Sequence, residues 1–394
     1  MELTRRLLFT FFGLMLTGFQ GFAQPFAIGH LSTTYTDAAR SRPVPVEIYY
    51  PADQAGDGVP VAAGNGEAYP LLVFGHGFVM SWDAYQNIWE AVVPAGYIIA
   101  FPRTETGLSP QHAALGQDIA FVRSTLLNEN SDPSGLFYQR VATASAAMGH
   151  SMGGGASFLA AAQDTGFRVL VNFAAAETTP SAIAAAAGID LPALLFAGEN
   201  DCVTPIAAHQ QPMYDALGSN CRNLVTIRGG SHCQMAESNF YCNIGEASCT
   251  PAPAISRAVQ HDCINRFLLP WLDAQLKADC AAGLLFDSLV LNDTSVSVQR
   301  TCAACVTTAI SPPAKAGPSV TLSPSGDQLL FSGLNLEAGD AIRLSDLSGR
   351  ELTFHRLPAA ANELRLNLPV LPPGAILLRW ERNSMVIWAG KVLR

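Results

Sequence analysis

Charge is scarce in this chain. Only 14% of its residues are Asp, Glu, Lys or Arg, against ~25% in an average soluble domain. Its 23 Lys and Arg are outnumbered by 32 Asp and Glu, for a formal charge of −9. A nucleic-acid binder needs a basic face to neutralise phosphates, so that class is excluded. No segment recurs at a fixed period, which removes solenoids, collagen and coiled coils. No apolar run reaches the ~20 residues of a bilayer span. Cysteine is missing before Cys202 and after Cys305. No pair of CxxC motifs is spaced for zinc; Cys302-Ala303-Ala304-Cys305 stands alone.

What is present suits a folded, exported protein. Hydrophobic residues make up 49% of the 394 and aromatics 9%, which rules out disorder over most of the chain. The length fits one large domain or two to three ordinary ones. Arg5 and Arg6 precede an apolar run from Leu7 to Gly18, and Gly21-Phe22-Ala23 offers the small residues of a cleavage site. Residues 1–23 are therefore expected to be a signal peptide rather than an anchor. Nine cysteines agree with an oxidising destination. Their odd number leaves at least one thiol unpaired or paired between chains.

From residue 24 to about Thr307 strand and helix patterns alternate. Strands are expected at Val44–Tyr50, Tyr69–Phe74, Gly96–Phe101, Val141–Met148, Phe167–Phe173, Leu191–Ala197 and Asn223–Ile227. Helices are expected within Pro110–Leu127, from the end of the Val141 strand to Ala162, and, as the last, over Ile255–Leu276. This alternation predicts an α/β fold: a largely parallel sheet with helices on both faces. Residues 308–318 are Pro-rich linker. From Ser319 to Arg394 short alternating runs are punctuated by glycine and proline. Ile342 to Leu347 and Leu364 to Leu368 have period two, and a small all-β domain is expected there.

The chemistry centres on Gly149-His150-Ser151-Met152-Gly153, a G-x-S-x-G pentapeptide. Composition alone produces this pattern in roughly one chain of such length in ten. Its place between a strand and a helix carries the weight, because a nucleophile elbow needs that context. A serine hydroxyl is a weak nucleophile and requires a base that an acid orients. The order nucleophile, acid, base predicts the acid after a later strand. Asp201, in Gly198-Glu199-Asn200-Asp201, meets this; Asp190 precedes its strand and Glu199 is the weaker alternative. His209, His232, His261 and His355 qualify by order, but only His232 follows a strand directly; His209 and His261 fall in helical patterns. The oxyanion needs two donors. They are expected from the backbone N–H groups of Met152 and of Phe78, in the loop Gly75-His76-Gly77-Phe78, with His76 structural.

At these motifs the chain resembles the α/β-hydrolase superfamily. More narrowly it is similar to secreted polyester hydrolases related to cutinases and poly(ethylene terephthalate) hydrolases, and to dienelactone-hydrolase-like esterases. The resemblance covers roughly Phe26 to Leu276. It implies a serine carboxylester hydrolase that acts on polymeric or lipid-like esters, without metal or organic cofactor. Lipase, small-ester esterase and phospholipase-type acyl hydrolase are the enzyme alternatives; an inactive binding protein on the same fold is the other class. Members of that group often carry a tryptophan after the strand that follows the elbow helix. Here the stretch reads Phe173-Ala174-Ala175-Ala176-Glu177-Thr178, so either Phe78 or Trp82 is expected to stack on substrate or aromatic polyesters are expected to be poor substrates. The module 319–394 resembles sorting domains of the type IX secretion route, through Leu344 to Arg350, Leu371-Pro372-Pro373-Gly374 and Gly390-Lys391-Val392. That implies the type IX machinery as partner and a surface or extracellular destination.

Cys202 and Cys233 each follow a triad candidate. The Asp201 and His232 loops must meet, so a Cys202–Cys233 bridge is expected to clamp them. Cys221 precedes a strand and is a poor partner for Cys202. Cys242 with Cys249, and Cys280 with Cys302 or Cys305, are further pairs.

Overall fold

A computed structural model describes residues 26–64, 66, 68–303, 319–322, 328–345, 351–367, 375–382 and 385–393. The expected signal peptide and linker lie outside these residues.

Tyr69–Gly75 is buried along its whole length. Its alternate side chains enter different cores: Leu71 and Val73 one, Leu72 and Phe74 the other. A strand that is apolar on both faces must be central, because a pleat points successive side chains to opposite sides. This is β4. Ten strands form the sheet. The others are β1 (Ala27–Asp37), β2 (Arg42–Ala52), β3 (Gly56–Asp57), β5 (Ile98–Pro102), β6 (Val141–His150), β7 (Val169–Phe173), β8 (Ala193–Gly198), β9 (Arg222–Ile227) and β10 (Val296–Arg300). Their order is β10-β9-β8-β7-β6-β4-β5-β2-β1-β3. From β5 to β9 every pairing is parallel. β2 against β5, β1 against β2 and β10 against β9 run antiparallel.

The helices are α1 (Gln86–Val92), α2 (His112–Glu129), α3 (Met152–Gln163), α4 (Ala182–Ala186), α5 (Gln210–Ala216), α6 (Phe240–Glu246), α7 (Arg257–Leu276) and α8 (Cys280–Asn292). Leu115, Ile119, Val122 and Leu126 of α2 recur at helical spacing and pack with α3, α4 and α5 on one face of the sheet. Ile88 and Trp89 of α1, Ile264, Phe267 and Trp271 of α7, and Phe286 of α8 cover the other. The architecture is the α/β-hydrolase fold that the sequence predicts.

Boundaries differ from expectation by a few residues, and β1, β3, β10, α1, α4, α5, α6 and α8 were not anticipated. β1 reads Ala-Ile-Gly-His-Leu-Ser-Thr-Thr-Tyr-Thr-Asp; its side chains are mostly part-exposed, and it is held by an eleven-residue register with β2, with only the two-residue β3 outside it. α7 is not the last helix: α8 packs Phe286 edge-on to Phe267 at 5.9 Å between ring centroids. β10 then closes the β9 edge.

Beyond residue 318 the described residues form two antiparallel sheets. One orders β11 (Ser319–Leu322), β12 (Gln328–Leu336) and β15 (Ala361–Asn367). The other orders β14 (Glu351–Arg356), β13 (Ala341–Ser345), β16 (Ala375–Arg382) and β17 (Met385–Leu393). Leu371-Pro372-Pro373-Gly374 lies outside the described residues.

Candidate active site

β6 ends at His150 and α3 starts at Met152, so Ser151 alone makes the turn. Its φ of 53° and ψ of −120° are strained for a residue with a side chain. The strain is held from both sides: Ser151 N–H donates to Phe173 O at 3.0 Å, and Ser151 O accepts from Ala176 N–H at 2.8 Å. Glycine is obligatory beside it. A Cβ on Gly153 would lie 2.1 Å from Gly75 O, and one on Gly149 2.3 Å from Gly153 O. Strand, turn and helix thus approach closer than any side chain permits.

The loops after β8 and β9 bring Asp201 and His232 to this serine. Ser151 Oγ lies 3.0 Å from His232 Nε2, and His232 Nδ1 lies 2.9 Å from Asp201 Oδ2. All three residues are under a tenth exposed. The rivals fall elsewhere. Asp190 is exposed ahead of β8, and Glu199 accepts from Gly229 N–H at 2.8 Å. His209 Nδ1 accepts from Glu177 N–H at 2.9 Å, and His261 Nε2 is 3.1 Å from Ala236 O.

One residue that the sequence reading missed binds both polar members. Thr204 Oγ1 lies 2.8 Å from Asp201 Oδ2 and 3.0 Å from His232 Nδ1, and receives Gln210 Nε2–H at 3.1 Å. Asp201 Oδ1 also accepts the amides of Thr204 and Val203 at 2.7 and 2.9 Å. The carboxylate is therefore fully engaged, and its orientation does not depend on the histidine. The only signal was the position of Thr204 three residues past an aspartate, where a local Asx-type turn forms. Gln260 does the equivalent for the histidine loop: its Oε1 accepts from Ser231 N–H and its Nε2 donates to Ser231 O, at 2.9 and 2.8 Å.

The N–H groups of Phe78 and Met152 have no acceptor among the described residues. Met152 opens α3, where the first amides lack intrahelical partners. Phe78 follows β4, whose last residue Gly75 pairs with Gly149, so the two loops leave the sheet side by side. A buried hydrogen-bond chain links this loop to the histidine loop. Gly77 N–H donates to Tyr85 Oη at 2.7 Å, Tyr85 Oη meets His150 Nδ1 at 3.1 Å, and His150 Nε2 meets His232 O at 3.3 Å. Burial, with His232 adding to it, holds the His150 pKa well below the usual histidine value. Neutral His150 with its proton on Nε2 satisfies both contacts, a tautomer assigned from the partners. His76 faces the carbonyl oxygens of Gly77 and Thr104 at 2.9 and 2.7 Å.

Of the two aromatic residues expected to meet substrate, Phe78 is 49% exposed. Trp82 is already occupied: the Arg103 guanidinium covers its ring at 4.5 Å, and its indole N–H donates to Tyr49 Oη at 3.1 Å. It lines a cleft of about 250 Å3 with His76, Ser81, Arg103 and Thr106.

The expected Cys202–Cys233 bridge does not form. Cys202 bonds Cys249, Cys233 bonds Cys242 and Cys221 bonds Cys302. The loops do meet, but His232 is in helical conformation and opens a 3-10 turn. That turn carries Cys233 round into the interior, where it is 1% exposed, while Cys202 stays at the surface. The alternatives Cys242–Cys249 and Cys280–Cys302 fail with it; Cys280 is disulfide-bonded, and Cys305 lies outside the described residues. Cys263 is a free, buried thiol. No cluster of three metal-binding side chains occurs among the described residues, and no helix among them is long and apolar enough to cross a membrane.

The family described as PET hydrolase-like matches residues 45–250, just over half of the chain. No curated protein matches it.

Proposed function

The chain belongs to the PET hydrolase-like family, and from that premise we propose a serine carboxylester hydrolase that cleaves polyesters through an acyl-enzyme. The observation that carries the reading is the unbroken contact from Ser151 Oγ through His232 to Asp201. In this mechanism Ser151 Oγ attacks the ester carbonyl carbon while His232 Nε2 takes its proton. Asp201 holds the Nδ1–H tautomer and stabilises the imidazolium that results. Thr204 is a positioning residue that fixes both. The tetrahedral oxyanion accepts from Phe78 N–H and Met152 N–H, which are pre-organised and otherwise unpaired. Collapse breaks the ester C–O bond, and the leaving alcohol takes the proton from His232. A water then gives its proton to His232 and attacks the acyl-serine, releasing the acid and restoring the serine. Phe78 is the aromatic surface at hand for an acyl or aromatic unit, in place of the tryptophan missing after β7.

The test is a substrate panel: short and long p-nitrophenyl esters, triglyceride emulsion, polycaprolactone and terephthalate polyester, with Ser151→Ala as control. Turnover of the polyesters that disappears with Ser151→Ala is the expected result. Triglyceride cleaved in their place makes the protein a lipase, and short esters alone make it a small-ester esterase.

The same proposal holds that residues 1–23 are a signal peptide, 24–307 the catalytic domain and 319–394 a type IX sorting domain that delivers the enzyme to the cell surface or medium. The three disulfides between described residues agree with an oxidising destination. Deleting 319–394 in the native host is expected to hold the enzyme in the periplasm; undiminished delivery overturns the sorting role.

A further inference from the structure

The segment from Ser238 to Ala252 carries a single charged residue, Glu246. That one is turned inward, where its Oε1 accepts from Cys233 N–H at 3.0 Å. α6 lies in this segment. Asn239 caps it by accepting from the amides of Tyr241 and Cys242. Its inner side presents Cys242 and Glu246; its outer side presents Phe240, Tyr241 and Ile244, 70%, 59% and 58% exposed. Phe240 and Ile244 are neighbours at i, i+4, and the Phe240 and Tyr241 rings meet edge to face at 5.4 Å. Three large apolar side chains on one turn of helix form a ridge, whereas isolated exposed hydrophobics need no explanation.

The ridge is fixed beside the active site. Cys242, within α6, is bonded to Cys233, next to His232. Cys249, three residues past α6, is bonded to Cys202, next to Asp201. Arg257 adds hydrogen bonds to the carbonyls of Cys233 and Ala236. Val203, 38% exposed, sits on the acid loop between these anchors, and Phe78, 49% exposed, on the loop after β4.

From this geometry we infer that α6 is a docking ridge for the solid surface of an ester polymer, holding it against the active site. The inference rests on the hydrolase reading for its occupant. Area favours that occupant over a second copy of the chain. Large apolar side chains offer ~150–250 Å2 each, so at these exposures the ridge presents roughly 400 Å2. A stable protein partner needs about 800 Å2 per side. An extended uncharged surface requires no matching shape, and contact with it can extend to Val203 and Phe78. A ridge that cannot yield, because two disulfides hold it, gives up little conformational freedom on contact.

The test uses the full chain with Ser151→Ala, so that adsorption is read without cleavage. Adsorption to polycaprolactone film is compared with and without Phe240→Ser, Tyr241→Ser and Ile244→Ser together, and with Phe240→Lys alone as a smaller change. The triple change is expected to reduce the adsorbed amount at least fivefold and Phe240→Lys at least twofold, with thermal midpoints held within a few degrees. With Ser151 restored, film hydrolysis falls in parallel while kcat/KM on p-nitrophenyl butyrate stays within twofold. Unchanged adsorption overturns the ridge. So does an equal loss of butyrate turnover, which places α6 in the acyl pocket, or a wild-type dimer that the triple change dissociates, which makes the occupant a second copy. If the parent cleaves no ester but ridge-dependent adsorption persists, the hydrolase reading fails and the docking surface stands.

Discussion

The two halves of the candidate site are built by opposite means. On the serine side, Gly149 and Gly153 lie against backbone at distances that admit no side chain, and Ser151 is held by backbone hydrogen bonds to Phe173 and Ala176. On the acid–base side, Asp201 and His232 stand on loops whose position depends on side chains: Thr204, Gln210, Gln260, Glu246 and two disulfides. Close packing fixes one half in every molecule that folds. The other half tolerates loss of single contacts but depends on many. The first should therefore fail completely when disturbed, and the second by degrees.

Gly153→Ala is the sharpest way to break that contrast. Its Cβ would fall 2.1 Å from Gly75 O, a clash with backbone that no rotamer relieves. Overpacking usually costs ~1–3 kcal/mol, and here strand and helix must part. Failure to accumulate as soluble protein, or loss of all turnover, is expected; a folded, active variant would show that the serine half is not locked.

Paired cysteine-to-serine changes probe the other half. The Cys202–Cys249 bridge spans 47 residues and Cys233–Cys242 spans 9. The chain-entropy account assigns them about 4 and about 2.5 kcal/mol. Denaturant titration should find the first pair costlier, with folding retained in both. Peptide mapping without reductant should recover Cys202 joined to Cys249; Cys202 joined to Cys233 would mean that the acid and histidine loops are clamped directly.

Thr204→Val is expected to lower kcat about tenfold, ~1.4 kcal/mol, at unchanged KM. The pH dependence of kcat should shift, and Thr204→Ser should restore it. A variant with only lowered thermal stability would make Thr204 structural.

The last effect is one of pH and concerns His150. Burial keeps its pKa far below that of an unfolded histidine, near 6.5. The unfolded chain therefore takes up a proton that the native protein refuses. The contribution of His150 is fully present above pH ~6.5 and is lost as pH falls below it, by up to ~1.4 kcal/mol per pH unit. His150→Gln should flatten the loss of stability between neutral pH and pH 5; an unchanged slope would mean that His150 titrates in the native state.

The same contrast explains what could be read from sequence. The serine half was legible because close approach restricts residue type: glycines at fixed spacing, a strand of small residues before them and a helix after. The strands alternating between two cores were legible for a related reason, since burial on both faces leaves only apolar runs such as Tyr69 to Phe74. Disulfide pairing was not legible. It depends on where each cysteine points, and the helical turn at His232 redirects Cys233 without any mark in composition. Nor was Thr204, because a threonine in a polar loop has too many ordinary uses. β1 escaped notice because its side chains are mostly part-exposed and form no continuous apolar run. Trp82 shows the limit for ligand contacts, its indole being engaged by Arg103 and Tyr49.

The central claim is that Ser151 becomes the acyl carrier. An aryl-ester substrate mixed with the full chain and quenched within the first turnovers, followed by peptide mass spectrometry, tests it most directly. An acyl group on the peptide containing Ser151, absent in Ser151→Ala and not accumulating in His232→Ala, is the result expected. Full turnover with no acyl group on that peptide, or acylation elsewhere that persists in Ser151→Ala, would contradict it.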